Sequence, residues 1–494
     1  MKDPHAPRTG VLECEKGSAS FYVDDFSFCI MNNVMKKVTN RFGETYDAAN
    51  FLFTLKKQGN FLIGATNDGN SIAIYAKNCL DNCPTSKCTF RTSTYVIQNA
   101  ISTEQHDNLF DAIELRGGTL NRLFSTKYLH VDYSDSNYII KDDSFELQGI
   151  LNWNNQYVKI TIGWGTTEHN QSRKVEISTN NPYFRFEFSV PVNLDEALMH
   201  VERARELMSF LSYRDNTEFD SICFQHKSFI TDEDNFKHEY YSDDAYAFIN
   251  YGFSPTEKDP NECICFDDIK DSVFNLFSMF YDCSDYNPIN HLGFITKSDK
   301  EANLISPFDI REIATFLECE TKCVCKKRDL KSQKIYDESK RLSLLLEKIK
   351  LVISEDEISN GPLPDSIQSQ LTKRFNNVSL PNKSKDIALY ESYQNIVGGI
   401  TPFHRKVIDS NDIKNFRDYR NKETHGNYNL LNMDIGITAL HLAVTVYCSI
   451  LHRSGVHSYF HHPAIVHIRF AFRRYRSRNT HVYELTIVLY RNLC

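Results

Sequence analysis

Apolar residues recur along this chain with two different periods, and the change from one to the other divides it. Up to about residue 190, short apolar segments alternate with polar positions and are broken at close intervals by Gly, Asn and Asp, which predicts strands. One hairpin is explicit. Asn60-Phe61-Leu62-Ile63-Gly64 leads through Asn67-Asp68-Gly69-Asn70 into Ser71-Ile72-Ala73-Ile74-Tyr75, two apolar runs joined by residues that tolerate positive φ. Further strands are expected at Phe145–Leu151, Tyr157–Trp164, Lys174–Ser178 and Tyr183–Val190. Their alternation points to antiparallel sheets with one wet face, as in a sandwich or open barrel.

A helix follows, capped by Asn193, with Leu194, Leu198, Val201, Met208 and Leu211 at helical spacing. Ser221–Ile230 reads as one more strand, and the Asp-, Glu- and Tyr-rich region through Glu262 as a loop-containing junction. A helix at Phe266–Asp282 opens the α-rich half. From Ser306 onward the period stays near 3.6: Ile310, Ile313 and Leu317 make one stripe, and Leu342, Leu345, Leu346, Ile349 and Val352 a longer one. Gly361-Pro362-Leu363-Pro364 interrupts the pattern, shorter helices follow at Asp365–Arg374 and Lys385–Ile396, and Gly398-Gly399 breaks the run again. Ser410 is placed to cap a helix carrying Ile413, Phe416 and Arg420, and Leu431–His452 forms the last long apolar helix.

The expected fold class is therefore α+β, an antiparallel β-rich N-terminal domain followed by an all-α helical bundle. The divisions fall at residues 1–230, a junction with one helix at 231–304, the bundle at 305–456 and a basic tail at 457–494.

A length of 494 residues exceeds one ordinary core, and 41% hydrophobic residues leave ample material for two. The formal net charge of -8 excludes a protein that coats nucleic acid indiscriminately, so any phosphate contact must come from a local patch. Met1-Lys2-Asp3-Pro4-His5 starts no apolar leader, and Ile435–Leu451 is shorter than a spanning segment and carries Thr438, His441 and Ser449. The expectation is a cytoplasmic protein without a membrane partner, its 14 cysteines reduced.

Candidate chemistry concentrates in Tyr419-Arg420-Asn421-Lys422-Glu423-Thr424-His425-Gly426. If the helix from Ser410 runs through it, Asn421 and His425 share a face, so that the amide can fix the imidazole tautomer. Arg420 lies about 140° from His425 around an ideal helix. The pair therefore meets only if the helix loosens at Gly426, the long side chain swings over, or a second copy completes the site. A histidine and an arginine suffice for cleaving RNA through its own 2′-hydroxyl. The imidazole moves the proton, the guanidinium holds the phosphate, and no metal or other cofactor is required. The spacing by itself is also met by a salt-bridged arginine and a helix-end histidine. A second Arg-x4-His, at Arg476 and His481, lies in strand or tail surroundings and reads as a decoy.

The octapeptide, late in a helical domain, resembles the signature of HEPN domains, with Arg420, Asn421 and His425 at the matching positions. The N-terminal half resembles the β-rich domain of ApeA-type anti-phage proteins at Leu62–Gly69, Tyr95–Ala100 and the helix Val201–Leu211. It departs at Gln98-Asn99, where a glycine-containing turn is expected, and the tail after Val456 has no counterpart. The resemblance implies a HEPN-like helical domain acting as a metal-independent endoribonuclease in bacterial abortive infection. It further implies an RNA substrate, a homodimer or larger homo-oligomer formed through the helical domain, and a β-rich half that senses a phage-derived trigger or restrains the nuclease. The alternative is a non-catalytic dimerisation or RNA-binding module of the same type.

Other sites are weaker. Cys79, Cys83 and Cys88, and separately Cys319, Cys323 and Cys325, miss the paired spacing of zinc ribbons and lack a fourth ligand. His457, His461, His462 and His467 read as incidental tail residues. Lys326-Lys327-Arg328 and Lys373, Arg374, Lys383 and Lys385 read as solvated faces, and Trp153, Trp164 and Tyr157 as sheet positions that pack rather than stack bases.

Overall fold

Alternation along the first half builds one antiparallel sheet of 14 strands. The computed structural model describes residues 7–13, 18–32, 35–39, 42–43, 45–49, 53–55, 57–76, 82–83, 87–98, 109–124, 131–132, 139–140, 145–171, 174–231, 237–252, 264, 266–282, 287–295, 306–327, 333–377, 382–400, 408–424, 433–456, 467–476 and 481–490. The chain divides into two units. The first comprises Met1–Ser212 and Asn216–Phe266, the second Tyr213–Asp215 and Asp267–Cys494.

In the first unit the principal strands are β1 (Arg8–Glu13), β2 (Ser18–Asp24), β3 (Ser27–Asn32), β4 (Phe61–Thr66), β5 (Ser71–Tyr75), β6 (Lys87–Arg91) and β7 (Thr94–Gln98). They continue with β8 (Leu109–Arg116), β9 (Phe145–Trp153), β10 (Gln156–Gln171), β11 (Lys174–Asn193), β12 (Ser221–Thr231) and β13 (Lys237–Ile249). Their order across the sheet is β6-β3-β2-β1-β4-β5-β7-β13-β12-β8-β11-β10-β9, with Lys57–Gln58 pairing beside β4. Period-two patterning decides which side is dry: on β2, Ala19, Phe21 and Val23 are buried while Ser18, Tyr22 and Asp24 are not. These residues join Leu12, Phe28, Ile30, Leu62, Ile72, Ile74 and Tyr95 in one core. Strands β1 and β4 approach so closely that a Cβ on Gly64 would lie 2.3 Å from the Val11 carbonyl oxygen, which is why glycine stands there.

A second core lies under the helix α2 (Leu194–Ser212). Asn193 caps it reciprocally: its Oδ1 accepts from the Glu196 amide at 3.0 Å, and Glu196 accepts from the Asn193 amide at 3.1 Å. Val201, Ala204, Leu207, Met208 and Leu211 are fully buried. So is His200, whose ring lies 4.7 Å from Trp153 and 4.8 Å from Phe188, centroid to centroid. A single short turn, α1 (Leu120–Leu123), precedes these elements.

Two expectations in this half are corrected. Lys174–Ser178 and Tyr183–Val190 are parts of one 20-residue strand, paired along most of its length with β10. The acidic region read as a loop-containing junction contains the strand β13, which pairs with β12 and β7. Its carboxylates obscured the alternation, yet each finds a donor: Asp243 accepts from Gln225 and Tyr246, both at 2.9 Å, and Asp244 accepts from Gln98 at 2.5 Å.

The expected helix Phe266–Asp282 is two pieces, α3 (Phe266–Ile269) and α4 (Val273–Phe280), divided by a turn at Lys270–Ser272. In the second unit α5 (Pro307–Lys327), α8 (Asn382–Ile400), α9 (Ser410–Thr424) and α10 (Met433–Ser454) pack on one another. Helix α10 is apolar and long enough to cross a membrane, but its apolar window is 89% buried inside the unit. Helix α8 runs through Gly398-Gly399, where a break was expected, because its buried face is already anchored upstream by Leu389, Tyr393 and Val397. Two further helices, α6 (Gln333–Asn360) and α7 (Asp365–Asn377), are divided at Gly361, whose φ of +88° ends α6. The α6 stripe, read as one helix of the bundle, is largely exposed. The C-terminal region is a hairpin, His467–Arg476 with His481–Tyr490, so the second half is not purely helical.

Candidate functional site

Arg420 and Asn421 lie on the last turns of α9, whose start is fixed by a side-chain cap. Asp409, not Ser410, is its cap: Asp409 Oδ1 accepts from the amides of Asn411 at 2.7 Å and Asp412 at 2.9 Å, and Asp412 accepts from the Asp409 amide at 3.0 Å. Ile413, Phe416 and Tyr419, at three-residue intervals, are buried and fix the rotation of the helix. That rotation leaves Arg420 half-buried and Asn421 and Lys422 exposed. The Arg420 Nη1 donates to Asn421 Oδ1 at 3.3 Å. The helix runs through Thr424, and His425, on which the expectation of a face shared with Asn421 depends, lies outside the described residues.

A charge network behind Arg420 joins three helices. Arg417, one turn earlier, forms a two-pronged pair with Asp386 of α8, Nε to Oδ2 at 2.5 Å and Nη2 to Oδ1 at 2.9 Å. The Asp386 side chain is 0% exposed and that of Arg417 10%. Burial pushes the Asp386 carboxyl above its ordinary range, with the guanidinium opposing. Glu318 of α5 lies 4.0 Å from Arg417 Nη1 and 3.2 Å from Lys322 Nζ. Burial works to raise Glu318, but Lys322, Arg417 and Arg420 together hold it below the usual carboxylate range. Glu318 therefore stays an anion in the field of two arginines of α9, and α9 is pinned against α5 and α8 just before its chemically capable residues.

The opposite side of α5 makes a parallel connection. Glu320, fully buried, accepts from Ser449 Oγ at 2.5 Å and from Arg453 at 2.9 and 2.8 Å, which fixes α10. On α10, His441 is buried with its ring edge-on to Tyr390 at 6.2 Å.

Sequence reasoning missed Glu318, Asp386 and Arg417. The signal for Asp386 was present: it stands at the start of the stripe Asp386, Leu389, Tyr390, Tyr393, Val397, all of it buried. A carboxylate at a core position of an amphipathic helix demands a buried cation, and Arg417 is the partner.

Of the other candidates, Trp153 and Trp164 are core residues, Trp164 stacked on Phe145 at 4.8 Å, while Tyr157 is exposed. Cys319 is buried, its thiol pushed up to about 11 chiefly by desolvation, which opposes thiolate formation. Cys323 is half-buried. Among the described residues no group of three or more His, Cys, Asp or Glu has metal-holding geometry. The side chains of Cys79, Cys83, Cys88, Cys325, Lys326, Lys327, Arg328, Lys373, Arg374 and Lys383 lie outside the described set, as do those of His457, His461, His462, His467, Arg476 and His481. The backbone of Arg476 pairs with that of His481 at the turn end of the C-terminal hairpin, so the second Arg-x4-His is on strands.

Comparison of the chain with protein-family models, with curated proteins and with solved structures finds no match in any of the three.

Proposed function

We propose that the helical unit is a HEPN-type endoribonuclease that cleaves RNA through its 2′-hydroxyl without a metal, used as an effector of anti-phage abortive infection. His425 acts as general acid or base, Arg420 clamps the scissile phosphate, and Asn421 orients the site. The observation that carries the reading is the division of labour on α9: Arg417 is consumed by Asp386, while Arg420, three residues on, sits half-buried beside the exposed Asn421. In the reaction the 2′-oxygen loses its proton and attacks phosphorus, the P–O5′ bond breaks, and the leaving oxygen is protonated. The products are a 2′,3′-cyclic phosphate and a 5′-hydroxyl. Arg420 stabilises the charge that develops on the phosphoryl oxygens. RNA and a second copy of the chain are the partners, with a phage-derived trigger acting through the β-rich unit.

The test compares His425→Ala and Arg420→Ala with the wild-type chain for RNA cleavage and cellular toxicity. Each substitution is expected to lower cleavage by about 100-fold or more, with EDTA leaving the wild-type rate unchanged and the product carrying a 2′,3′-cyclic phosphate. Full activity in both variants with the fold intact refutes the proposal. RNA binding without any product, in the presence of trigger, would assign the unit to a non-catalytic binding module.

A further inference from the structure

Helix α6 presents exposed apolar side chains that no described residue of its own unit covers. Leu345, Ile349 and Val352 are 48, 45 and 62% exposed, and on an ideal helix they fall within about 60° of arc. Leu342, Leu346 and Ile353 flank them on one side, half-buried. Scattered exposed leucines need no explanation, but a continuous seam along a 28-residue helix does.

The charge pattern selects the occupant. Lys340 and Arg341 stand just before the apolar seam, preceded by Asp337 and Glu338, while Glu355, Asp356 and Glu357 follow it and Glu347, Lys348 and Lys350 lie within it. Laid parallel, two such helices would set like charges against like. Laid antiparallel about a point between Lys348 and Ile349, they bring Arg341 level with Asp356 of the partner subunit, and Leu345 level with Val352 of the partner subunit. The seam is thus complementary to itself under a two-fold rotation, which is the requirement for an isologous contact.

We propose that α6 is a dimerisation arm, two copies of this chain pairing antiparallel through Leu345, Ile349 and Val352. The contact rests on the proposed function in supplying the second copy named there, and a dimer indifferent to the α6 changes sinks the contact without touching the cleavage reading. A second apolar line, Leu344, Leu351 and Ile358, runs about 130° away around the helix at seven-residue intervals and is 56, 63 and 85% exposed. It lies outside the proposed contact and supplies the internal control.

Sedimentation velocity of the full chain at micromolar concentration, without RNA, reads the outcome. The wild-type chain is expected to be dimeric or a multiple of the dimer, and Leu345→Glu with Val352→Glu to weaken the two-fold association by about 100-fold or more. Leu344→Glu with Leu351→Glu is expected to leave that association intact. Arg341→Glu alone weakens it about tenfold, and Arg341→Glu combined with Asp356→Arg restores it, a rescue that misfolding cannot imitate. A monomeric wild-type chain, a dimer indifferent to the Leu345 and Val352 changes, dissociation caused instead by the Leu344 and Leu351 changes, or failure of the charge reversal to rescue would each overturn the proposal.

Discussion

Removing one member of the Asp386–Arg417 pair tests the reading that this ion pair holds α9 in place. The pair is buried on both sides, with side-chain exposures of 0 and 10% and contacts of 2.5 and 2.9 Å. Breaking such a pair by deleting one partner costs about 3–5 kcal/mol, because a charge is left behind in a site that no longer compensates it. The two ends of the pair are not equivalent. Asp386→Ala leaves a guanidinium whose Nη1 still has Glu318 at 4.0 Å, so its cost falls near the lower bound, about 3 kcal/mol. Arg417→Met leaves a desolvated carboxyl that burial already raises, and without the opposing guanidinium it rises further and takes a proton in the folded state. The sign follows from linkage. The folded variant then binds a proton that the unfolded chain releases above a pH of about 4, so its stability is complete below that value. It is lost as pH rises, by about 1.4 kcal/mol per unit, until the folded pKa is passed. Arg417→Met is therefore expected to lose stability relative to wild type as pH rises from 5 to 7, by at most about 1.4 kcal/mol per unit. Urea denaturation followed by circular dichroism at both pH values, on the transition of the helical unit, gives the two numbers. The apolar double variant Asp386→Leu with Arg417→Met should cost less than either single change. A single-variant cost below about 1 kcal/mol, or an Arg417→Met penalty that does not grow with pH, refutes the reasoning.

His200 supplies a second pH signature. Desolvation pushes its pKa down to about 3, so it stays neutral when folded, and its contribution is present above the unfolded pKa of about 6.5 and lost as pH falls, amounting to about 2 kcal/mol by pH 5. His226, raised by its hydrogen bond to Asp244, works in the opposite direction, so the measurement is the difference in acid sensitivity between wild type and His200→Phe, which should lose this slope. At the start of α9, Asp409→Ala removes the acceptor for two amides and should cost about 1 kcal/mol in thermal or chemical unfolding. Ser410→Ala should cost far less, since the cap lies one residue earlier.

The hairpin at Asn60–Tyr75, the Asn193 cap, the strand Ser221–Thr231 and the α9 register were legible because each is set by neighbours in sequence: turn residues, a capping box, a two- or three-residue period. What was illegible depends on partners far along the chain. Strand β13 was hidden because Asp243 and Asp244 look like loop residues until Gln225 and Gln98 are beside them, 18 and 146 residues away. The exposure of the α6 stripe was illegible for the converse reason. Periodicity reports that a face is apolar, and it does not say which surface covers it.

The same distinction bears on the candidate site. Tyr419-Arg420-Asn421 could be found from sequence, whereas the residues that give it a fixed position could not, since Glu318 lies on α5 and Asp386 on α8. Their arrangement changes the meaning of the two arginines. An unanchored helix end would let either guanidinium seek the nearest carboxylate, and Glu318 is close enough to feel both. With Arg417 committed to Asp386 by two hydrogen bonds, Glu318 is shared among Lys322, Arg417 and Arg420, so its hold on Arg420 is diluted. A guanidinium locked in a buried two-pronged pair, as Arg417 is, cannot turn to a phosphate without leaving a buried carboxylate behind, and that constraint does not apply to the half-buried Arg420 in its pairing with Glu318. Glu318→Gln is therefore expected to tighten RNA binding modestly, and Lys322→Ala, which strengthens the claim of Glu318 on Arg420, to weaken it. Both effects would be read by fluorescence anisotropy on a labelled RNA with His425→Ala present to prevent turnover, and the same sign of change in both variants would refute it.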